Sequence, residues 1–168
     1  MIDLKVFEFA EAKQPKFQEK KGADGGYIKY GENNDYPEYL VELYNKSPKH
    51  GAIIKSKVHY ITGNGWIGGE DAANFIDHAN RIESLDDVTR KVTLDIELFG
   101  GAYIEVIWSI TGQIAELWHC DYVKIRTNKD NTQYWYSENW KDTKIKPEVV
   151  AAFNPKMPTG KQILYVKE

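Results

Sequence analysis

The sequence predicts an α+β fold in which helices come first and an antiparallel sheet follows. Three observations predict it. From Tyr36 to Phe99 apolar residues recur at spacings of three and four, between residues that cap helices. At Gly100-Gly101 the period changes to that of strands. No strand alternates with a helix as a βαβ unit requires, so a parallel sheet is not expected.

Residues 1–29 form a first section, an N-terminal arm and loop. Leu4 to Phe9 is rich in strand formers but places apolar side chains on both parities, which fits a strand, an arm ordered by a partner or a frayed terminus. Lys20-Lys21-Gly22-Ala23-Asp24-Gly25-Gly26 reads as a flexible loop. Residues 30–168 then form one α+β domain, with a helical segment at 30–99 and a β segment at 100–168.

The helical segment opens at Asp35, an N-cap acceptor with Glu38 three residues later as the returning carboxylate and Pro37 in the first turn. The run Tyr36, Tyr39, Leu40, Leu43, Tyr44 follows. Ser47-Pro48 starts a second helix bearing Ile53, Ile54, Val58 and Ile61, so two helices meet at a turn of almost no length. Gly63-Asn64-Gly65 tolerates positive φ and stops that helix, and Trp66-Ile67 is expected to begin extended structure. A third helix is expected from about Asp71 to Arg81, with Phe75, Ile76, Ala79 and Ile82 at helical spacing. Ser84 with Asp87 three later starts the best core helix, whose apolar positions are Leu85, Val88, Val92, Ile96 and Phe99. Asp86, Arg90, Lys91 and Glu97 form its solvated face.

In the β segment, Ala102 to Trp108 and Gln113 to Trp118 pair as a hairpin around Ile110-Thr111-Gly112. Val123 to Thr127 and Thr132 to Ser137 follow across the turn Asn128-Lys129-Asp130-Asn131. A weaker strand at Val149 to Phe153 and a last one at Gln162 to Val166 complete the antiparallel set.

A chain of 168 residues with 42% hydrophobic content, five Trp and eleven Tyr can build a packed core, which excludes a disordered class. A net charge of −3 gives no general attraction to nucleic acid. The single cysteine, Cys120, forms no internal disulfide. No signal peptide or membrane span is visible, so a soluble, cytosol-assembled protein is expected.

Candidate chemistry is thin. His119-Cys120-Asp121 puts base, nucleophile and carboxylate types side by side, but neighbours on a strand point to opposite faces and do not converge. His50, His59 and His78 lie on expected helices without ligand spacing. Asp71, Asp77, Asp86, Asp87 and Asp95 read as scattered over surfaces, and no glycine-rich phosphate loop follows a strand. No catalysis, metal or cofactor is expected. Lys124, Arg126, Lys129, Lys141, Lys144 and Lys146 cluster around strands bearing Tyr122, Tyr134, Trp135, Tyr136 and Trp140, a mixture suited to single-stranded nucleic acid. Asp121, Asp130, Glu138 and Asp142 dilute it, and aromatic strands also serve as core. The alternative class is therefore a small α+β module binding nucleic acid or protein through these strands, with Lys124, Arg126, Tyr134 and Tyr136 as contacts.

The stretch YGENNDYPEYLVELYNKSPKHGAIIKSKVHYITGNGW, Tyr30 to Trp66, resembles the N-terminal part of tailed-bacteriophage portal proteins, in particular those of phages and prophages of Bacteroides-type hosts. The motif residues are Gly31, Asn34, Asp35, Tyr36 and Pro37, then Gly63, Asn64, Gly65 and Trp66. The likeness continues less specifically through 100–106 and 114–121. It implies a structural protein of the capsid vertex, assembled in host cytoplasm and carried in the virion. In the family this is a dodecameric ring through which terminase pumps double-stranded DNA, and which joins capsid to tail adaptor. The sheet would belong to the wing that flares from the ring. Because the sequence ends on the strand pattern at Tyr165 to Glu168, the resemblance implies a fragment cut before stem, clip and crown, monomeric when alone. Tyr36, Tyr39 and Tyr44 are candidates for subunit contact, or for packing on the sheet. DNA would pass without sequence-specific contacts.

Overall fold

A computed structural model describes residues 19–21, 26–142 and 144–167. The expected strand at Leu4 to Phe9 lies outside them. Two short strands, β1 (Glu19–Lys21) and β2 (Ile28–Tyr30), pair antiparallel, with Glu19 opposite Tyr30 and Lys21 opposite Ile28. Lys20 and Lys21 are thus in a ladder rather than in the expected loop. Alternation explains β2: Ile28 and Tyr30 point into the core while Lys29 between them is only half-buried.

Helix α1 spans Tyr36–Lys46 and α2 Pro48–Thr62, with Ser47 closing one and opening the other. Its N–H donates to the Leu43 carbonyl of α1, and its hydroxyl accepts from the His50 N–H of α2. The expected capping box on α1 does not form. Asp35 occupies the N-cap position at φ −121°, ψ 12°, away from the extended conformation from which a side chain caps, and makes no capping bond.

After α2 the chain reverses at Gly63, and 65–69 is irregular rather than the expected strand. The reason is local competition for the Trp66 donors. Its backbone N–H donates to Asp86 Oδ1 and its indole N–H to Thr89 Oγ1, both at 2.8 Å, so the segment lies along a helix and not along a sheet edge. Helix α3 is Glu70–Asp77, shorter than expected. It ends because Asn80 Oδ1 accepts from the N–H groups of Ile82 and Glu83 while its Nδ2 donates to the Leu117 carbonyl, a local alternative to helical bonding. Ala79 and Asn80 are buried there, whereas Ile82, expected on an apolar face, is exposed.

Helix α4 (Leu85–Phe99) forms as its sequence demands, with the reciprocal Ser84–Asp87 box at its start and Gly100 in the left-handed region at its end. Val88 and Val92 are buried with Ala79 and Ala102, and Leu85, Ile96 and Ile104 pack around them.

The sheet has six strands: β3 (Gly101–Trp108), β4 (Ile114–Cys120), β5 (Ile125–Thr127), β6 (Gln133–Tyr136), β7 (Glu148–Ala152) and β8 (Lys161–Lys167). Their spatial order is β4-β3-β8-β7-β6-β5. All neighbours are antiparallel except β7 and β8, whose short parallel ladder sets Ala151 beside Gln162 and Ala152 beside Ile163. That pair corrects the fully antiparallel expectation. It arises because the chain doubles back after Ala152 and re-enters the sheet between β7 and β3.

Strands β4 and β5 are opposite edges of this sheet, yet only residues 121–124 join them, partly as a 3₁₀ turn (Tyr122–Lys124). The five Cα steps from Cys120 to Ile125 reach at most about 19 Å. Six flat strands would put their edges about 24 Å apart. The sheet is therefore curled, and a small cavity of about 80 Å³ in its concavity is lined by residues of all six strands, among them Glu105, Cys120, Ile125, Tyr136, Val150 and Ile163. The concave side holds Tyr103, Ile125, Tyr134, Val150 and Ile163, with Ile28 and Tyr30 of β2 packed among them. Tyr122 stacks on Phe99 at 4.4 Å and on Tyr103 at 5.0 Å. Helix α4 covers the other face through Ala102 and Ile104.

Candidate functional site

The motif residues meet at the junction between β2 and α1. Gly31, at φ +83°, turns the chain so closely that an added Cβ would sit 3.2 Å from Tyr36 Cβ. Asn34 follows in the left-handed region at φ 60°, one of the few side chains that tolerate it. That conformation aims its amide oxygen inward. Asn34 Oδ1 accepts from the Tyr30 N–H at 3.0 Å and from Arg126 Nε at 2.6 Å, and its backbone carbonyl accepts from Arg126 Nη2 at 2.8 Å.

Arg126 has no exposed surface. Its Nη1 donates to the carbonyls of Val123 and Ile125, and the guanidinium lies 5.2 Å from the Tyr30 ring centroid and 4.9 Å from that of Trp140. Burial pulls the Arg126 pKa down, with Glu38 opposing that shift. Glu38 stands on the first turn of α1, where one carboxylate oxygen is enclosed without a hydrogen-bond partner. The turn, the first helix and the edge strand are thus joined through one guanidinium. Pro37, also on that first turn, is fully buried.

The second half of the motif docks α2 onto the start of α4. Gly65, at φ +92°, lies so near Asp86 that an added Cβ would fall 2.3 Å from its carboxylate oxygen. Asp86 in turn receives the Trp66 N–H, while Gly63 ends α2 and Asn64 stays exposed. Of the tyrosines considered for subunit contact, Tyr36 packs on the core of the curled sheet and lies beside Tyr39, with ring centroids 6.5 Å apart. Tyr44 lies against Gly51 of α2, and all three are half-buried.

The residues considered for nucleic acid do not form a surface. Arg126 and Tyr134 are enclosed, which leaves them nothing to offer a base or a phosphate. Lys124 pairs with Glu138 at 2.6 Å, and the Tyr136 hydroxyl donates to the same carboxylate. The Glu138 bond raises the Lys124 pKa.

Around His119-Cys120-Asp121 the three side chains diverge as strand geometry requires. His119 Nε2 meets Asp95 Oδ2 of α4 at 2.7 Å. Cys120 faces the cavity, where burial pushes its thiol up to about 12, with Glu105 adding to the shift. Asp121 accepts from the Val123 N–H. Asp95, expected on a surface, is buried. Desolvation raises its pKa, and the His119 hydrogen bond opposes the rise. His119 and Asp95 thus form a largely enclosed histidine–carboxylate pair that ties β4 to α4. Among the described residues no group of His, Cys, Asp and Glu is arranged to hold a metal ion, and no helix is long and apolar enough to cross a membrane.

Sequence reasoning missed the Asn34–Arg126 and Asp95–His119 contacts. The one available signal was Asn33-Asn34 between Gly31 and a helix start, a pair suited to left-handed backbone. No protein-family model and no curated protein matches this chain.

Proposed function

We propose that this chain is the wing part of a phage portal subunit, a structural element of the DNA-packaging vertex. Its partners are then other portal subunits, terminase, capsid and tail-adaptor proteins, with duplex DNA passing without specific contacts. The observation that carries the proposal is the Tyr30–Trp66 stretch, whose motif residues are used up in internal joints at Asn34–Arg126 and Gly65–Asp86 rather than in a reactive cleft. Support comes also from the helical surface above those joints, where Ile53, Tyr60 and Ile61 remain exposed as an assembling protein needs. The basic and aromatic strands favour no second reading, because Arg126 and Tyr134 are enclosed.

The test is immunogold electron microscopy of particles from the source phage or induced prophage, using antibody raised against this chain. Gold confined to one vertex at the head–tail junction is the expected result. Gold spread over the shell, or absent from particles, overturns the proposal.

A further inference from the structure

We propose that the cavity in the curled sheet is a binding site for a small primary alkylammonium ion, either a free amine or the end of a lysine side chain. The cavity measures about 80 Å³, roughly half of the ~150 Å³ in which an apolar cavity takes benzene, so a chain of about three carbons fills it. Strand periodicity builds it. Strand β7 enters the sheet at Glu148 and reaches Val150 two residues later on the same face, and β8 enters at Lys161 and reaches Ile163 in the same way. Because these two strands run parallel, both charged residues come to one end and both apolar ones lie deeper. Glu148 and Lys161 are open to solvent, while Val150, Ile163 and Ile125 are 4%, 1% and 0% exposed and form an apolar floor. Glu105 of β3 stands across the ladder from Ile163, so one carboxylate, 23% exposed, lies beside that floor.

The charges select a cation that donates hydrogen bonds. Lys161 Nζ meets Glu148 Oε1 at 2.7 Å but lies 3.7 Å from Glu105 Oε2, beyond hydrogen-bond range. Glu105 is therefore the acceptor left over, and two carboxylates outnumber one ammonium. An anionic ligand would face that excess of negative charge, and an uncharged one would leave it unmatched. A bare metal ion is not served, since among the described residues no group of His, Cys, Asp and Glu is arranged to hold one. Cys120, a neutral thiol in the wall, and Tyr136, whose hydroxyl donates to Glu138, add no positive charge that would compete. An alkylammonium answers both halves of the site, its N–H groups on Glu105 and its carbons against Val150 and Ile163. All these residues lie outside the Tyr30–Trp66 stretch, so the site stands apart from the portal reading.

Titration of the purified chain with propylammonium chloride, followed in nitrogen–proton correlation spectra at constant ionic strength, tests it. Saturable shifts are expected at the amides of Cys120, Val150 and Ile163, with a Kd of about 1 mM or tighter, a range open to so small a ligand. Methylammonium, which lacks two of the carbons, and 1-propanol, which lacks the charge, should each bind at least about tenfold more weakly. Propionate should give no saturable shift. Glu105→Gln should weaken propylammonium at least about tenfold, whereas Lys161→Gln, which removes the competing ammonium, should tighten it by about threefold or more. A damaged fold would not move the two variants in opposite directions. Nα-acetyl-lysine amide separates the sources: saturation at the same amides assigns the site to a lysine side chain, and binding by propylammonium alone assigns it to a free amine. No saturable shift with either amine, propanol or propionate binding as tightly as propylammonium, or Glu105→Gln binding like wild type would each overturn the site.

Discussion

Replacing Asn34 separates what its side chain holds from what its backbone conformation costs. In Asn34→Ala the Tyr30 N–H, now bonded at 3.0 Å, is left buried without an acceptor, at about 1–3 kcal/mol. Arg126 Nε loses its 2.6 Å bond, and a bond to a charged group is worth about 1.5–3 kcal/mol. Alanine at φ 60° adds about 1 kcal/mol that asparagine partly avoids. The sum is roughly 3.5–7 kcal/mol, a large share of the 5–15 kcal/mol typical of a domain. Asn34→Gly recovers only the conformational part, so it should lie about 1 kcal/mol above the alanine variant. Asn34→Asp keeps the acceptor and places a carboxylate on Arg126, so at neutral pH it should stay within about 1 kcal/mol of wild type. Urea unfolding followed by tryptophan emission measures all three. An alanine variant within about 0.5 kcal/mol of wild type, or a glycine variant equal to wild type, refutes the reasoning, because the side-chain bonds would then contribute nothing.

Gly65→Ala should destabilise by about 1–3 kcal/mol through positive φ and the Asp86 contact, and adding Asp86→Ala should recover only the contact part; thermal melts of the single and double variants show this. Asp95 has a folded pKa above its unfolded value, so the folded state binds its proton more tightly and, in the window from 3.8 up to the raised value, stability from this group rises as pH falls. Asp95→Asn removes that contribution, so the variant should lose stability more steeply than wild type on acidification across that window, by up to about 1.4 kcal/mol per pH unit; parallel urea titrations check the sign. Cys120, with its thiol pushed up to about 12, should react with iodoacetamide at pH 8 at least about a hundredfold slower in the folded chain than in urea. A fast native reaction would contradict the burial argument and revive a catalytic role for the thiol.

What was legible in the sequence was local. Helix α4 announces itself, because Ser84, Asp87 and Gly100 supply both ends and the apolar spacing supplies the buried face. The β3–β4 hairpin is equally local. The parallel pairing of β7 with β8 is not, since it depends on where the chain re-enters a sheet whose curl is set by the short link between β4 and β5. Arg126 misled for a related reason. In an edge strand a basic residue is expected to reach solvent, but Ile125, Arg126 and Thr127 are all buried, and the residue that encloses Arg126 lies 92 positions earlier. Asp95 and His119 are 24 residues apart, and neither carries a local sign of its partner. The Asp35–Glu38 pattern is a true capping spelling defeated by context, since Asn34 in the left-handed region delivers the chain to α1 at the wrong ψ.

A guanidinium at zero exposure carries a desolvation cost of several kcal/mol, and no carboxylate is bonded to it among the described residues. The fold offsets this with acceptors that are mostly backbone carbonyls, at Asn34, Val123 and Ile125, and with two aromatic faces. Carbonyls do not titrate and do not rotate away. To detach the β2–α1 turn, the chain must strip Arg126 of both its Asn34 bonds at once, leaving a buried charge short of partners. The turn therefore moves with the sheet. Since α1 runs directly from that turn into α2, and α2 is held again on α4, the exposed α2 face is fixed at both ends to the same core. A face so held loses little conformational entropy when anything docks on it.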